Sequence, residues 1–98
     1  MTIKKFIEGA YMTYRKNEEM EYMLLSENSL AIFNHESGDV HFFDAQGIAI
    51  LNLLSEPLTL EVLITKLCEI YDGSSSDIQA DVEELLRKSI EENVVLAL

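Results

Sequence analysis

The sequence predicts an α+β domain in which a three-stranded antiparallel meander is followed by three helices. Three observations carry this expectation. Short apolar runs alternate with turn-forming residues between positions 22 and 43, the hydrophobic period changes from two to about 3.6 at Asp44, and helix-capping residues recur after that point. The chain of 98 residues is 48% apolar and 26% charged, which suits one core and lies outside the low-hydrophobicity range of disordered chains.

The first strand is "YMLL" (22–25) and the second "LAIF" (30–33), joined through "SENS", whose serines and asparagine form local side-chain to backbone bonds that favour turns. "HESGD" supplies a second turn, with Gly38 free to take a backbone conformation that a side chain resists, and "VHFF" (40–43) returns as the third strand. With residue 35 opposite residue 40, Ala31, Phe33, His35, Val40 and Phe42 share one face, and Leu30, Ile32, Asn34, His41 and Phe43 the other. Both faces are apolar, so the second face calls for a cover, either the N-terminal arm or a partner.

Asp44 caps a short helix through "AQGIAILNLL", with Ile48, Leu51 and Leu54 on one stripe, and "SEP" stops it. Thr59 caps a second helix, with Leu58 and Leu63 as a hydrophobic staple and Leu60, Leu63, Ile64, Leu67 and Tyr71 inward; Asp72 and Gly73 end it. A capping box at Ser76 to Gln79 opens the third helix, whose apolar positions are Ile78, Val82, Leu85, Leu86 and Ile90 and whose end falls at Asn93. "VVLAL" follows as a short strand or docked tail. Residues 1–21 read as a separate arm preceding a domain over 22–98. Ile3, Phe6, Ile7, Ala10, Tyr11 and Tyr14 have helical spacing interrupted by Gly9, and residues 15–21 read as a solvated charged connector. Such an arm either folds back or exchanges between chains, which leaves a homodimer through it open.

Composition narrows the function. The net charge is −11, and from residue 37 onward three positive residues face twelve negative ones, so the surface repels phosphate backbones. A meander followed by helices has the parts of a winged helix-turn-helix, yet the candidate recognition helix offers only Arg87 and Lys88 among acids. A DNA-binding regulator is therefore the lesser alternative, beside that of a structural subunit of a protein complex. Cys68 is the only cysteine, and His35 and His41 fall on opposite faces, so neither a disulfide nor a metal site is expected. No nucleophile with a base beside it stands out, and the glycines are too scattered for a phosphate-cradling loop, so neither an enzyme nor a cofactor is expected. No apolar run follows Lys4 and Lys5 and no membrane-length segment occurs, which makes the cytoplasm the expected location.

Residues 22–96 resemble the PqqD-like domains, or RiPP recognition elements, which bind the leaders of ribosomally made, post-translationally modified peptides. The likeness rests on "LAIFNHESGDVHFFDAQGIAILNLL", "PLTLEVLITKLCEIYD" and "SSSDIQADVEELLRKSIEENVVL". Phe43-Asp44 stands where the family usually has Leu-Asn, Ser55-Glu56 where it has Asp-Gly, and Asn93 where a glycine commonly ends the last helix. The resemblance implies a peptide chaperone without catalysis. Its precursor leader adds as a strand beside residues 40–43 and lies against the third helix, for presentation to a modifying enzyme of the radical S-adenosylmethionine type. The implied peptide-binding residues are Val40, His41, Phe42 and Phe43 on the strand edge, with Phe42 or Phe43 and Leu85 as apolar walls and Asp81, Glu84 and Lys88 on the rim.

Overall fold

The computed structural model describes residues 12–72 and 74–98. Among these, the strands are β1 (Thr13–Lys16), β2 (Glu21–Ser26), β3 (Ser29–Phe33), β4 (Val40–Phe43), β5 (Leu58–Thr59) and β6 (Val95–Ala97); the helices are α1 (Ala45–Leu53), α2 (Leu60–Ile70) and α3 (Ser75–Glu91). The predicted meander is present as the sheet β2-β3-β4.

Its register differs from the expectation by two residues, because Phe33 rather than His35 pairs with Val40. Asn34 explains the difference. Its backbone N–H donates to the Asp39 carbonyl at 2.9 Å, its own carbonyl accepts from Gly38 N–H at 2.8 Å, and its side-chain Oδ1 accepts from Glu36 N–H at 2.9 Å. The side chain thus closes an Asx turn that withdraws residues 34–39 from the strands, and Gly38 takes φ +81° within it. A shift of two preserves the alternation, so Leu30, Ile32 and Phe43 share the buried face, while Ala31, Val40 and Phe42 share the other.

The Asp44 and Thr59 caps form as their sequences direct. Asp44 Oδ1 accepts from Gly47 N–H at 3.0 Å, and Thr59 Oγ1 from Val62 N–H at 3.2 Å. The third helix is capped two residues earlier than the predicted box: Ser74 Oγ accepts from Asp77 N–H at 3.3 Å, and Gln79 instead donates to Glu83 at 3.0 Å. At the other end Asn93 adopts φ +62°, its N–H donates to the Ile90 carbonyl, and the N–H of Val94 donates to the Ser89 carbonyl. That paired closure is a Schellman motif. It turns the chain so that Val94 and Val95 enter the core.

A second small sheet, β5-β1-β6, was not foreseen. β1 pairs Tyr14 with both Leu58 and Ala97, and Arg15 with Leu96, so residues 13–16 are a central strand rather than part of a helical arm or a solvated connector. Met20 is buried as well, which also sets residues 15–21 apart from a connector. The rest of the proposed arm helix lies outside the described residues, as does Gly73. Ile32, Ile50, Leu54, Leu63, Leu67, Val82 and Val94 form the centre of one core shared by both sheets and all three helices.

Candidate site between the β4 edge and helix α3

β4 is an outer strand. It pairs with β3 on one side and, among the described residues, with nothing on the other. The Asn34–Asp39 bond fixes which of its backbone groups are free. Hydrogen-bonded and non-bonded pairs alternate along an antiparallel ladder, so bonding at Asn34 and Asp39 makes Ile32/His41 and Leu30/Phe43 the bonded pairs. The N–H and C=O of Val40 and Phe42 consequently point outward from the sheet. Their side chains are also the exposed ones, 47% and 67% accessible.

Phe43, by contrast, is a core residue with 8% exposure. It lies across Gly47, where an added Cβ would come within 2.7 Å of the Phe43 ring, so the glycine is required by close approach. The two adjacent phenylalanines, left undecided by sequence, thus divide their roles, Phe43 anchoring the strand and Phe42 standing in solvent.

A groove runs beside this edge. One part, of about 250 Å³, is lined by Phe42, Phe43 and Leu85. The next, of about 300 Å³, is lined by Gln46, Asp81 and Glu84, and both parts share Asp44, Leu85 and Lys88. Of the eight residues singled out by sequence, Phe42, Phe43, Asp81, Glu84, Leu85 and Lys88 therefore meet along one groove. Val40 contributes to the edge alone. His41 turns to the core face, where Nδ1 lies 2.6 Å from Glu92 Oε2 with only 18% and 20% of the two side chains accessible. His41 is thus a brace between β4 and the end of α3, although the family resemblance groups it with the peptide-binding strand edge; His35 is exposed, with Nε2 3.7 Å from Glu21 Oε2. Asp44 and Gln46 were missed as lining residues, although the capping role of Asp44, which fixes it at the end of β4, was a usable signal.

Among the described residues no cluster of His, Cys, Asp and Glu side chains is arranged to hold a metal ion, and no helix is long and apolar enough to cross a membrane. The groove offers shape, a hydrogen-bonding edge and charge.

A family model described as coenzyme PQQ synthesis protein D (PqqD) matches residues 29–95. No curated protein matches the sequence. Among solved structures, TbiB1 in complex with the TbiA(beta) leader peptide is similar at a TM-score of 0.72 and 17% identity, over 83% of this chain and 93% of that one. At that identity the likeness bears on the fold.

Proposed function

Because the chain belongs to the PqqD family, we propose that it is a non-catalytic adaptor: it binds the leader of a ribosomally made precursor peptide by strand addition to β4 and presents it to a modifying enzyme, of the radical S-adenosylmethionine type. One observation carries this reading, namely that the outward N–H and C=O groups of Val40 and Phe42 border a groove lined by Phe42, Phe43 and Leu85. That a protein of the same fold, TbiB1, has been solved with a leader peptide supports it.

Magnitudes indicate what the leader must supply. Four outward backbone groups give about 2–6 kcal/mol at a net 0.5–1.5 each, and ordering a disordered segment costs about 2–5 kcal/mol. Micromolar binding needs about 8 kcal/mol. Backbone pairing therefore falls short, and apolar leader side chains must bury themselves in the groove and against Phe42. The DNA reading gains nothing by comparison, since Arg87 Nη1 already lies 3.5 Å from Glu91 Oε1 on an acidic helix.

The test is an amide NMR titration of the full chain with precursor peptides encoded beside its gene. The Val40 and Phe42 amides should move most. A peptide that binds by calorimetry while those amides stay still removes the site, and a set of precursors that all fail to bind removes the adaptor function.

A further inference from the structure

We propose that the bound leader carries a Lys or Arg on the same strand face as its apolar anchor, two or four residues away, and that Asp44, Asp81 and Glu84 receive this cation. The inference rests on the adaptor reading and names the class of peptide the groove selects.

The groove is chemically divided along its length. Phe42 and Phe43 line its first part alone and Asp81 and Glu84 its second part alone, while Asp44, Leu85 and Lys88 run through both. Asp81 and Glu84 are three residues apart on α3 and so project on one side of the helix. Asp44 is already held in place, because its Oδ1 caps α1 through Gly47 N–H, and little further ordering is required when a cation arrives. Three carboxylates face one ammonium, that of Lys88. Among the described residues the ion pairs are His35–Glu21, His41–Glu92 and Arg87–Glu91, and none of them includes Asp44, Asp81 or Glu84.

A guest strand beside β4 places alternate side chains on one face, with successive same-face residues roughly 6.6 Å apart at about 3.3 Å per residue. An anchor seated at Leu85 therefore brings its same-face neighbours toward the acidic part of the groove. A guest with Asp or Glu at those positions meets like charge, which makes the groove discriminate by repulsion as well as attraction. The net charge of −11 attracts any cationic peptide; the three carboxylates determine where along the strand the cation sits.

The experiment pans a random peptide library against the full chain at low salt and remakes the enriched peptides synthetically. Enriched sequences should pair an aromatic or branched aliphatic residue with Lys or Arg two or four positions away. Replacing that cation by Gln should weaken binding about two- to fivefold, chiefly through slower association, with the difference shrinking at high salt. The double variant Asp81→Asn/Glu84→Gln should lose this difference while still binding through the apolar anchor. Glu56→Gln/Glu69→Gln, which removes as much charge outside the groove, should keep it. Enriched peptides without the spaced cation, or a preference that survives Asp81→Asn/Glu84→Gln, overturn the inference while leaving the adaptor reading intact. If no peptide is enriched, or enriched peptides bind without shifting the Val40 and Phe42 amides, the adaptor reading fails and this inference with it.

Discussion

Along β2 the ladder with β3 runs from Glu21 to Ser26 but shifts register between Leu24 and Ser26, whereas along β4 it runs from Val40 to Phe43 without interruption. Both strands are outer strands of the same meander, and both expose large apolar side chains: Met23, Leu24 and Leu25 on one, Val40 and Phe42 on the other. Exposed hydrophobicity therefore does not distinguish them. Regularity and surroundings do. A bulge bends and twists an edge away from in-register pairing, and a charged residue such as Glu21 discourages it further. β4 has neither defence, and it borders the groove against α3. One edge is interrupted, and the other is regular and, among the described residues, unpaired.

The largest effect is expected at Phe43. Phe43→Ala empties a core position and should cost about 3–5 kcal/mol of stability, read from urea denaturation, with β4 losing its seat against α1. Phe42→Ala should change stability by less than about 0.5 kcal/mol and yet weaken leader binding about ten- to a hundredfold, since burying a phenylalanine contributes roughly 1.5–3 kcal/mol. If both substitutions destabilise alike, Phe42 belongs to the fold and is not held free for a guest strand.

Sequence reached these two residues only in part, for physical reasons. Alternation alone groups Phe43 with Ile32 and Phe42 with Ala31, and a register error of two leaves that grouping intact. The face that becomes the interior is set by helices that follow later in the chain, so the choice between the phenylalanines stayed open. The Asp44 and Thr59 caps were legible because a capping bond joins residues three apart. The Ser74 cap was not, because three successive serines offer similar oxygens. The sheet β5-β1-β6 had no local signature: its strands are two to four residues long, and β1 meets partners more than forty positions away. The His41–Glu92 brace is likewise a contact between distant residues. The groove with Asp81 and Glu84 on its rim followed from a family resemblance; that Asp44 and Gln46 also line it emerged only once α1 and α3 were in place.

Proline substitutions separate the two edges with a smaller effect. A proline lacks an N–H and is tolerated on an outer strand where that N–H faces solvent. At Val40 the N–H points outward, so Val40→Pro should leave the fold intact while weakening leader binding about three- to tenfold, the equivalent of one lost hydrogen bond. At His41 the N–H points into the ladder, and His41→Pro should destabilise the protein. On β2, Leu24 is the counterpart with an outward N–H, and Leu24→Pro should leave leader affinity unchanged. Equal losses from Val40→Pro and Leu24→Pro, measured by calorimetry on folded protein, would show that the leader uses both edges or neither.

The smallest effect concerns what holds β2 in place. Tyr22 hydroxyl donates to the Asn17 carbonyl at 2.6 Å, and Lys16 Nζ sits 4.8 Å from the centre of its ring, tying this edge to the end of β1. Burial pushes the phenol up from 10.0 to about 12, with the Glu18 carboxylate adding to the shift. In the folded protein the phenol keeps its proton over a range in which the unfolded chain has released it. Its contribution is thus fully present below about pH 10 and is lost as pH rises toward 12. Tyr22→Phe should cost about 0.5–1.5 kcal/mol at neutral pH, for the missing hydrogen bond, and should flatten the decline in urea midpoint between roughly pH 10 and 12 relative to the parent. Other groups titrate in that range, so the difference between the two proteins is the measurement. Parallel declines would mean that the phenol is not held neutral by the fold. A parallel loss of leader affinity in Tyr22→Phe would mean that the two edges are coupled, because Tyr22 lies on β2, separated from β4 by β3.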